Sequence, residues 1–145
     1  MRTLDDQLPP KLARLVDLFA AAPKHVKVQA LVDYSDRLPP PPPEMIGSAE
    51  LQRVHECQTP FFVAVEPTTD GTVHLVFDVP RESPTIRGYA GILAEGLDGA
   101  APSEILAIPD DFYLRMGLDE VLTPLRLRGM GAVLGAIKHQ VRERT

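Results

Sequence analysis

The amino-acid sequence is poor in cysteine and contains no tryptophan and no asparagine. Its single cysteine, Cys57, excludes an intrachain disulfide, and one thiolate is too few for an iron–sulfur cluster, which usually takes four. Long apolar runs are also missing, since Phe61–Val65 falls far short of the roughly 20 residues that span a membrane. The acidic start, Met1–Asp6, lacks the pattern of a secretory signal. We therefore expect a cytoplasmic protein that does not associate with a membrane.

Basic residues are outnumbered, because 15 Lys and Arg stand against 20 Asp and Glu, giving a net charge of −5. Aromatic residues make up only 6% of the chain. Proteins that bind nucleic acids usually carry a basic surface and often stack bases on aromatic rings, so this composition argues against such a partner. The 145 residues, 44% of them apolar and 24% charged, predict one globular domain over 1–145, with 1–10 as an N-terminal tail.

Apolar residues recur at helical spacing near the start of the chain. The pattern predicts two helices, over Pro10–Ala22 and about Lys24–Ser35, and Pro23 ends the first of them. A run of prolines follows at 39–43. Because proline fixes φ and lacks an N–H group, we expect this segment to be a polyproline II spacer that excludes helix and strand.

The spacing changes to that of β-strands after the prolines. Phe61–Val65 and Val73–Val79 predict two strands joined by the turn at 67–71, and a weaker third strand is expected in Leu51–Cys57. The rest of the chain predicts helices: one capped by Ser83 before Pro84, two short ones over Pro102–Ala107 and Asp110–Met116, and a last one capped by Thr123 before Pro124. The predicted fold class is α+β, with a small antiparallel sheet of about three strands packed on one face by helices.

Cys57 lies on the connection between the prolines and the first confident strand, and loops of this kind often carry functional groups. On an extended segment His55 would point to the same side as the thiol, whereas a carboxylate at Glu56 disfavours the thiolate. A buried, structural cysteine is an equally good interpretation. A cysteine hydrolase or a His55–Cys57 metal site has little support, because the chain has neither Asn nor any Cys-x-x-Cys or His-Glu-x-x-His spacing. We therefore expect no bound metal.

Two glycine pairs, Gly88 with Gly91 and Gly129 with Gly131, do not follow a strand as they would in a phosphate-binding loop. We expect them at helix–helix crossings instead. Arg126 and Arg128 are expected in the first turn of the last helix, where the helix dipole disfavours cations. One of these arginines is therefore a candidate for contacting an anion or a thiolate.

Four separated segments together resemble the SufE-type cysteine desulfuration proteins. The proline-rich Leu38–Glu44 is similar to the family's Leu-Pro-Pro stretch, and Val54–Thr59 is similar to its cysteine loop. Glu82–Gly88 resembles a family helix that opens on an acidic residue and has a glycine at the end of its first turn. Leu122–Met130 resembles the family's Leu-(Ser/Thr)-Pro-x-Arg-x-x-Gly motif. All four occur in the family's order, and the resemblance spans about Leu8–Arg142.

The resemblance implies a SufE/IscU-like fold and a sulfur carrier rather than a free-standing enzyme. Cys57 would accept persulfide sulfur from a SufS-like cysteine desulfurase, stimulate that enzyme, and relay the sulfur to a SufBCD-like iron–sulfur cluster scaffold. Arg126 is the family position near the cysteine loop, where its charge would favour a thiolate or persulfide. Glu82, Glu56 and Gln58 are expected to contact the partner. No cofactor is expected on this chain, because pyridoxal phosphate belongs to the desulfurase.

Two other classes of protein stay open. The chain is alternatively an interaction module that regulates a partner enzyme, with Cys57 only structural. A cluster scaffold of similar fold is disfavoured, because three further ligand cysteines are missing. The sequence also departs from the family pattern, since Glu56 stands where glycine is frequent. We hypothesise that Cys57 is shielded in an apolar pocket until a partner docks, because an exposed thiolate or persulfide is readily oxidised.

Overall fold

The computed structural model describes residues 7–145, and these residues form five α-helices and a three-stranded antiparallel sheet. The predicted α+β class is confirmed. The helices are α1 (Pro10–Ala21), α2 (Lys24–Arg37), α3 (Pro84–Gly96), α4 (Pro102–Leu106) and α5 (Pro124–Arg144). The strands are β1 (Gln52–Arg53), β2 (Phe62–Pro67) and β3 (Val73–Asp78). The short helix expected over Asp110–Met116 is instead a 3₁₀-helix, Phe112–Met116, which ends at Gly117 with φ +73°.

The sheet is built around β2, which pairs antiparallel with β1 on one side and with β3 on the other. Val63 lies opposite Phe77, and Val65 lies opposite Leu75. These four side chains share one face, because alternate residues of a strand point the same way. All four are buried in the main hydrophobic core, together with the apolar faces of the helices.

The other face of the sheet is covered as well. Ala64 and Val76 are buried there in a second, smaller cluster with Met45 and Leu51. The segment between the prolines and β1 supplies these two covering side chains. This segment therefore holds the chain against the sheet just before the cysteine.

The proline run is extended only as far as Pro42, whose backbone has φ −54° and ψ 137°. A 3₁₀-helix, Pro43–Met45, begins at the next residue. The expectation that all the prolines exclude helix was thus wrong at Pro43. Proline suits the first position of a helical turn, because its fixed φ is already helical and its missing N–H would have had no partner there.

Helix α5 runs along the edge of β2 that the short β1 leaves uncovered. The buried amide of Gln140 accepts from the N–H of Val65 and donates to the carbonyl of Val63, both at 2.9 Å. Arg144 donates to the carbonyl of Val65 at 2.9 Å. These side chains satisfy backbone groups that an unprotected edge would offer to another chain. They also fix the position of α5 against the sheet.

Helices α2 and α3 cross at close range. A Cβ added at Gly88 would lie 2.1 Å from the carbonyl oxygen of Leu31, and one at Gly91 would lie 2.4 Å from that of Tyr34. No larger side chain fits at either position without moving a backbone. The expected role of this glycine pair at a helix crossing is confirmed.

Arg87, in the first turns of α3, is a buried charge that sequence reasoning did not single out. Its guanidinium donates to the carbonyls of Ser35, Leu38 and Val79. These carbonyls lie at the end of α2, just before the prolines, and just after β3. Charged donors make the stronger kind of hydrogen bond, so Arg87 holds the start of α3 in place against all three segments.

The packed part of the chain begins before α1. Leu8 is only 6% exposed and belongs to the main core, although it falls within the segment 1–10 that was expected to be a tail. Residues 1–6 of that segment lie outside the described residues.

Candidate functional site

Cys57 ends a tight turn between β1 and β2. The N–H of Cys57 donates to the carbonyl of Val54 at 3.2 Å, and the N–H of Val54 donates to the carbonyl of Phe61 at 2.8 Å. The turn buries Val54 and Cys57 at its two ends and leaves His55 and Glu56 exposed at its corner. Only 6% of Cys57 is exposed. We call residues 54–60 the cysteine loop.

His55 lies at the exposed corner of the turn. The expectation that it points to the same side as Cys57 assumed an extended segment, whereas residues 54–57 form a turn. His55 is also not among the residues that line the cavity around the thiol. Glu56 shares the exposed corner, and no non-glycine residue among those described has a positive φ. Glu56 therefore fits this turn without the left-handed backbone that would favour glycine.

A cavity of about 240 Å³ lies against the thiol. Three segments that are distant in the sequence form its wall: the cysteine loop, the first turn of α3 and the first turns of α5. The exposed residues Gln58, Leu125 and Arg126 also line it, so the cavity opens at the surface. The full lining consists of Cys57, Gln58, Thr59, Ile86, Thr123, Leu125, Arg126 and Gly129.

Two helices place their N-terminal turns in the cavity wall. Ile86 lies in the first turn of α3, and Arg126 lies in the first turn of α5. The hydroxyl of Thr123 accepts from the N–H of Arg126 at 3.3 Å, so the predicted cap of α5 is confirmed. The N-terminal end of a helix carries partial positive charge and stabilises anions. These two helix ends therefore contribute a favourable interaction with a thiolate or persulfide.

Burial and local charge act on the thiol in opposite directions. Burial, the larger effect, raises the pKa of Cys57 above its ordinary value. The backbone N–H of Thr59 and the positive charges of Arg126 and Arg53 lower the pKa in part. The thiol is therefore protonated in the closed loop at neutral pH, while the groups that stabilise its anion already surround it.

Side-chain hydroxyls connect the start of α3 to both other parts of the site. The hydroxyl of Thr59 donates to that of Ser83 at 3.2 Å. The guanidinium of Arg126 donates to the hydroxyl of Thr85 at 3.0 Å. Ser83 holds the predicted N-cap position directly before Pro84, but its side chain makes no capping hydrogen bond to α3. Its hydroxyl is engaged with the cysteine loop instead.

The remaining sequence candidates lie on the surface around the site. Glu56 and Gln58 flank Cys57 and are exposed. Glu82 is exposed in the turn that precedes α3, in which the N–H of Ser83 donates to the carbonyl of Pro80 at 3.2 Å. Of the two arginines proposed for anion contact, Arg126 lines the cavity and Arg128 does not.

Gly129 was expected at a helix–helix crossing, but it lies at this site instead. A Cβ added there would lie 3.5 Å from the Sγ of Cys57. Sequence reasoning also missed the Thr59–Ser83 and Arg126–Thr85 hydrogen bonds, because hydroxyl residues at helix starts predict caps and not contacts with segments far away in the sequence. Only the Leu122–Met130 motif, which places an arginine and a glycine together, pointed towards this wall.

A second, larger cavity of about 600 Å³ lies between α1, the end of α3 and β3. Its floor is apolar and includes Leu15, Leu18 and Leu75. None of the site residues proposed from the sequence lines it. The smaller cavity is therefore the one relevant to thiol chemistry.

Within residues 7–145, no group of three or more His, Cys, Asp or Glu side chains is arranged to hold a metal ion. None of the helices in that same range is both long and apolar enough to cross a membrane.

Fold and site together define a class of protein: a small α+β domain that keeps one thiol shielded beside the N-terminal turns of two helices. A family model described as SufE, an Fe-S metabolism associated domain, matches residues 13–141. The chain belongs to the SufE family.

The relatives extend over most of the chain. An uncharacterized SufE-like protein of Mycobacterium tuberculosis is 43% identical over 141 residues, which cover 97% of this chain and 98% of that protein. A hypothetical protein from Thermus thermophilus, solved in solution, has a TM-score of 0.83 at 47% identity and covers 94% of this chain and 97% of its own. The cysteine desulfuration protein SufE of Plasmodium vivax is 27% identical over 136 residues, and the match spans 90% of this chain and 52% of that longer protein.

Proposed function

We propose that this protein is a sulfur carrier that accepts persulfide sulfur on Cys57 from a cysteine desulfurase and passes it to an iron–sulfur cluster scaffold. The observation that carries the proposal is the set of groups around the Cys57 thiol. The chain's only thiol lies against a surface-opening cavity, beside a guanidinium and two helix N-termini. Family membership and the relatives named as cysteine desulfuration proteins support the same role.

The chemistry is an exchange of one sulfur–sulfur bond for another. The thiolate of Cys57 attacks the terminal sulfur of a donor cysteine persulfide, and a new S–S bond forms at Cys57. The old S–S bond breaks, and the donor cysteine leaves as a thiolate that takes up the proton released by Cys57. No outside oxidant or reductant is consumed. Arg126 and the Thr59 N–H stabilise the negative charge on the arriving sulfur.

Shielding suits a carrier of reactive sulfur. Thiolates and persulfides oxidise readily when they are exposed, and the raised pKa of Cys57 keeps its thiol protonated in the closed loop. Transfer then requires the cysteine loop to move towards the partner. Glu56 and Gln58 are exposed on the loop itself and Glu82 is exposed just before α3, and these three residues are the proposed partner contacts.

The pyridoxal phosphate that releases sulfur from free cysteine belongs to the desulfurase in this proposal, and this chain supplies only the acceptor thiol. The transfer partners are proteins, and the proposed compartment is the cytoplasm. The competing interpretation, an interaction module with an inert Cys57, predicts the same docking surface but no transfer.

Stimulation of a desulfurase separates these two interpretations. The protein is added to a purified cysteine desulfurase from the same organism with L-cysteine and a reductant, and alanine formation is measured. We expect a several-fold increase in turnover, because an acceptor thiol empties the sulfur-loaded enzyme faster than the reductant does. Cys57→Ser is expected to give no increase.

The Cys57→Ser variant is checked for folding by circular dichroism and for binding to the desulfurase. Full stimulation by a folded Cys57→Ser variant would favour the interaction module and remove the basis of the carrier proposal. A folded Cys57→Ser variant that binds the desulfurase without stimulating it supports the carrier proposal.

A further inference from the structure

We propose, building on the carrier function, that the hydroxyls of Thr59 and Ser83 form a latch that keeps the cysteine loop closed over Cys57. Both side chains are positioning groups: neither hydroxyl takes part in sulfur transfer, and each acts through the position of the loop. The latch is the 3.2 Å hydrogen bond from Thr59 to Ser83, which ties the loop to the start of α3.

The two helix starts at this cavity use their hydroxyl residues differently. Thr123 has the extended backbone of an ordinary cap, with φ −74° and ψ 157°, and its hydroxyl accepts from the first turn of α5. Ser83 holds the same position before α3, and its carbonyl accepts from the N–H of Arg87 at 2.9 Å. Its backbone, however, has φ −117° and ψ 67°, and its hydroxyl makes no capping bond. The Ser83 hydroxyl therefore bonds to Thr59 and does not cap α3.

This difference gives the latch two favourable states. In the closed state the Ser83 hydroxyl accepts from Thr59. When the loop moves away, the same hydroxyl is free to cap α3 once its ψ rotates towards the value seen at Thr123. The capping bond then offsets part of the loss of the latch bond, so opening costs less than breaking an isolated hydrogen bond.

The latch is also placed where it controls exposure of the thiol. Thr59 lies two residues after Cys57, and its backbone N–H stabilises the charged form of that thiol. Ser83 directly precedes α3, and the start of α3 is fixed because Arg87 donates hydrogen bonds to carbonyls of three segments. The moving partner is therefore the loop and not the helix.

The test measures alkylation of Cys57 by iodoacetamide in the isolated protein, without any desulfurase. Thr59→Val removes the hydroxyl but keeps the shape and the backbone N–H. We expect it to speed alkylation about fivefold, the factor that corresponds to an ordinary net hydrogen bond. Thr59→Ser keeps a hydroxyl and is expected to react at nearly the wild-type rate.

The Ser83→Ala background provides the decisive comparison. If the Thr59 hydroxyl acts through Ser83, Thr59→Val has no effect on the rate once Ser83 is already alanine. Ser83→Ala alone is expected to speed alkylation no more than Thr59→Val does, because it removes the cap of the open state as well as the latch. Ser103→Ala, which removes an exposed hydroxyl in α4, serves as the control and leaves the rate unchanged.

Two results would overturn the latch. One is an equal acceleration by Thr59→Val in both backgrounds, and the other is no acceleration in either. Low concentrations of urea exclude global unfolding as the cause, since alkylation through local opening is insensitive to urea whereas alkylation through unfolding accelerates with it. The carrier function is judged by the desulfurase assay, so either proposal can fail while the other stands.

Discussion

At the scale of a single residue, two opposing effects act on the pKa of Cys57. Burial shields the thiol and raises its pKa, while the nearby guanidinium of Arg126 and the Thr59 N–H favour its anion. A fully exposed thiol would lose the protection, and a thiol sealed in the core would be unreactive. The cavity beside Cys57 is compatible with both effects, because it opens at the surface and is lined by Arg126, whose charge favours the anion.

Arg126→Met tests the electrostatic half of this balance. The positive charge of Arg126 lowers the pKa of Cys57, so its removal raises that pKa further and reduces the thiolate fraction at any pH below it. We expect alkylation by neutral iodoacetamide at pH 8 to slow by roughly two- to fivefold, as suits an exposed and partly screened cation. The midpoint of the rate-against-pH curve moves to higher pH.

Arg128→Met is the matched control, since Arg128 is exposed on the same helix but does not line the cavity. It removes the same charge and is expected to leave both rate and midpoint nearly unchanged. Equal effects of the two substitutions would mean that only the net charge of the protein acts on Cys57, and the assigned role of Arg126 would be wrong.

At the scale of elements, the start of α5 approaches the thiol through a glycine. Gly129 leaves open the part of the cavity wall nearest the sulfur, since a Cβ there would lie 3.5 Å from Sγ, at ordinary contact distance. A glycine inside a helix costs stability relative to alanine. In our interpretation, glycine at position 129 lowers the stability of the helix, but the absence of a side chain leaves room beside Cys57 for a second sulfur atom.

Gly129→Ala is therefore expected to stabilise the protein and to hinder its chemistry. The free energy of unfolding should rise by up to about 1 kcal/mol from helix propensity, because the added methyl fits without a clash. Alkylation of Cys57 and acceptance of sulfur should both slow, since the methyl fills space against the thiol. Urea denaturation and labelling kinetics measure the two effects separately.

Gly135→Ala is the control on the same helix, because a Cβ at Gly135 meets no atom within 4 Å. It should give the gain in stability without any change in labelling. Equal labelling rates in the two variants would show that the space at Gly129 has no part in the reactivity of the thiol.

The elements themselves follow closely from the sequence, and the contacts between them do not. Helical and alternating spacing predicted the helices and strands, because each pattern depends only on neighbouring residues. The turn at Val54–Cys57 was missed, since His55 and Glu56 at its corner are not residues that usually mark a turn. The hydrogen bond between the Ser83 and Thr59 hydroxyls was missed for a different reason: Thr59 lies on another segment that only the folded chain brings near.

On the scale of the whole molecule, the fold gathers one site from three distant segments and anchors each of them. Arg87 fixes the start of α3 through carbonyls of three segments. Gln140 and Arg144 fix α5 along the edge of β2. The cysteine loop lies between these two anchored helices, with Val54 and Cys57 buried in the main core and the hydroxyl of Thr59 bonded to Ser83 at the start of α3. The proposed carrier function would require this loop to move while the two helices stay in place.

The most direct test of this account is the intact mass of the protein after brief incubation with a cysteine desulfurase and L-cysteine, followed by mapping of the modified peptide. We predict a gain of about 32 Da for each added sulfur, located on Cys57, lost on treatment with dithiothreitol and absent from Cys57→Ser. An unchanged mass, with the desulfurase active and bound to this protein, would contradict the claim that Cys57 carries sulfur.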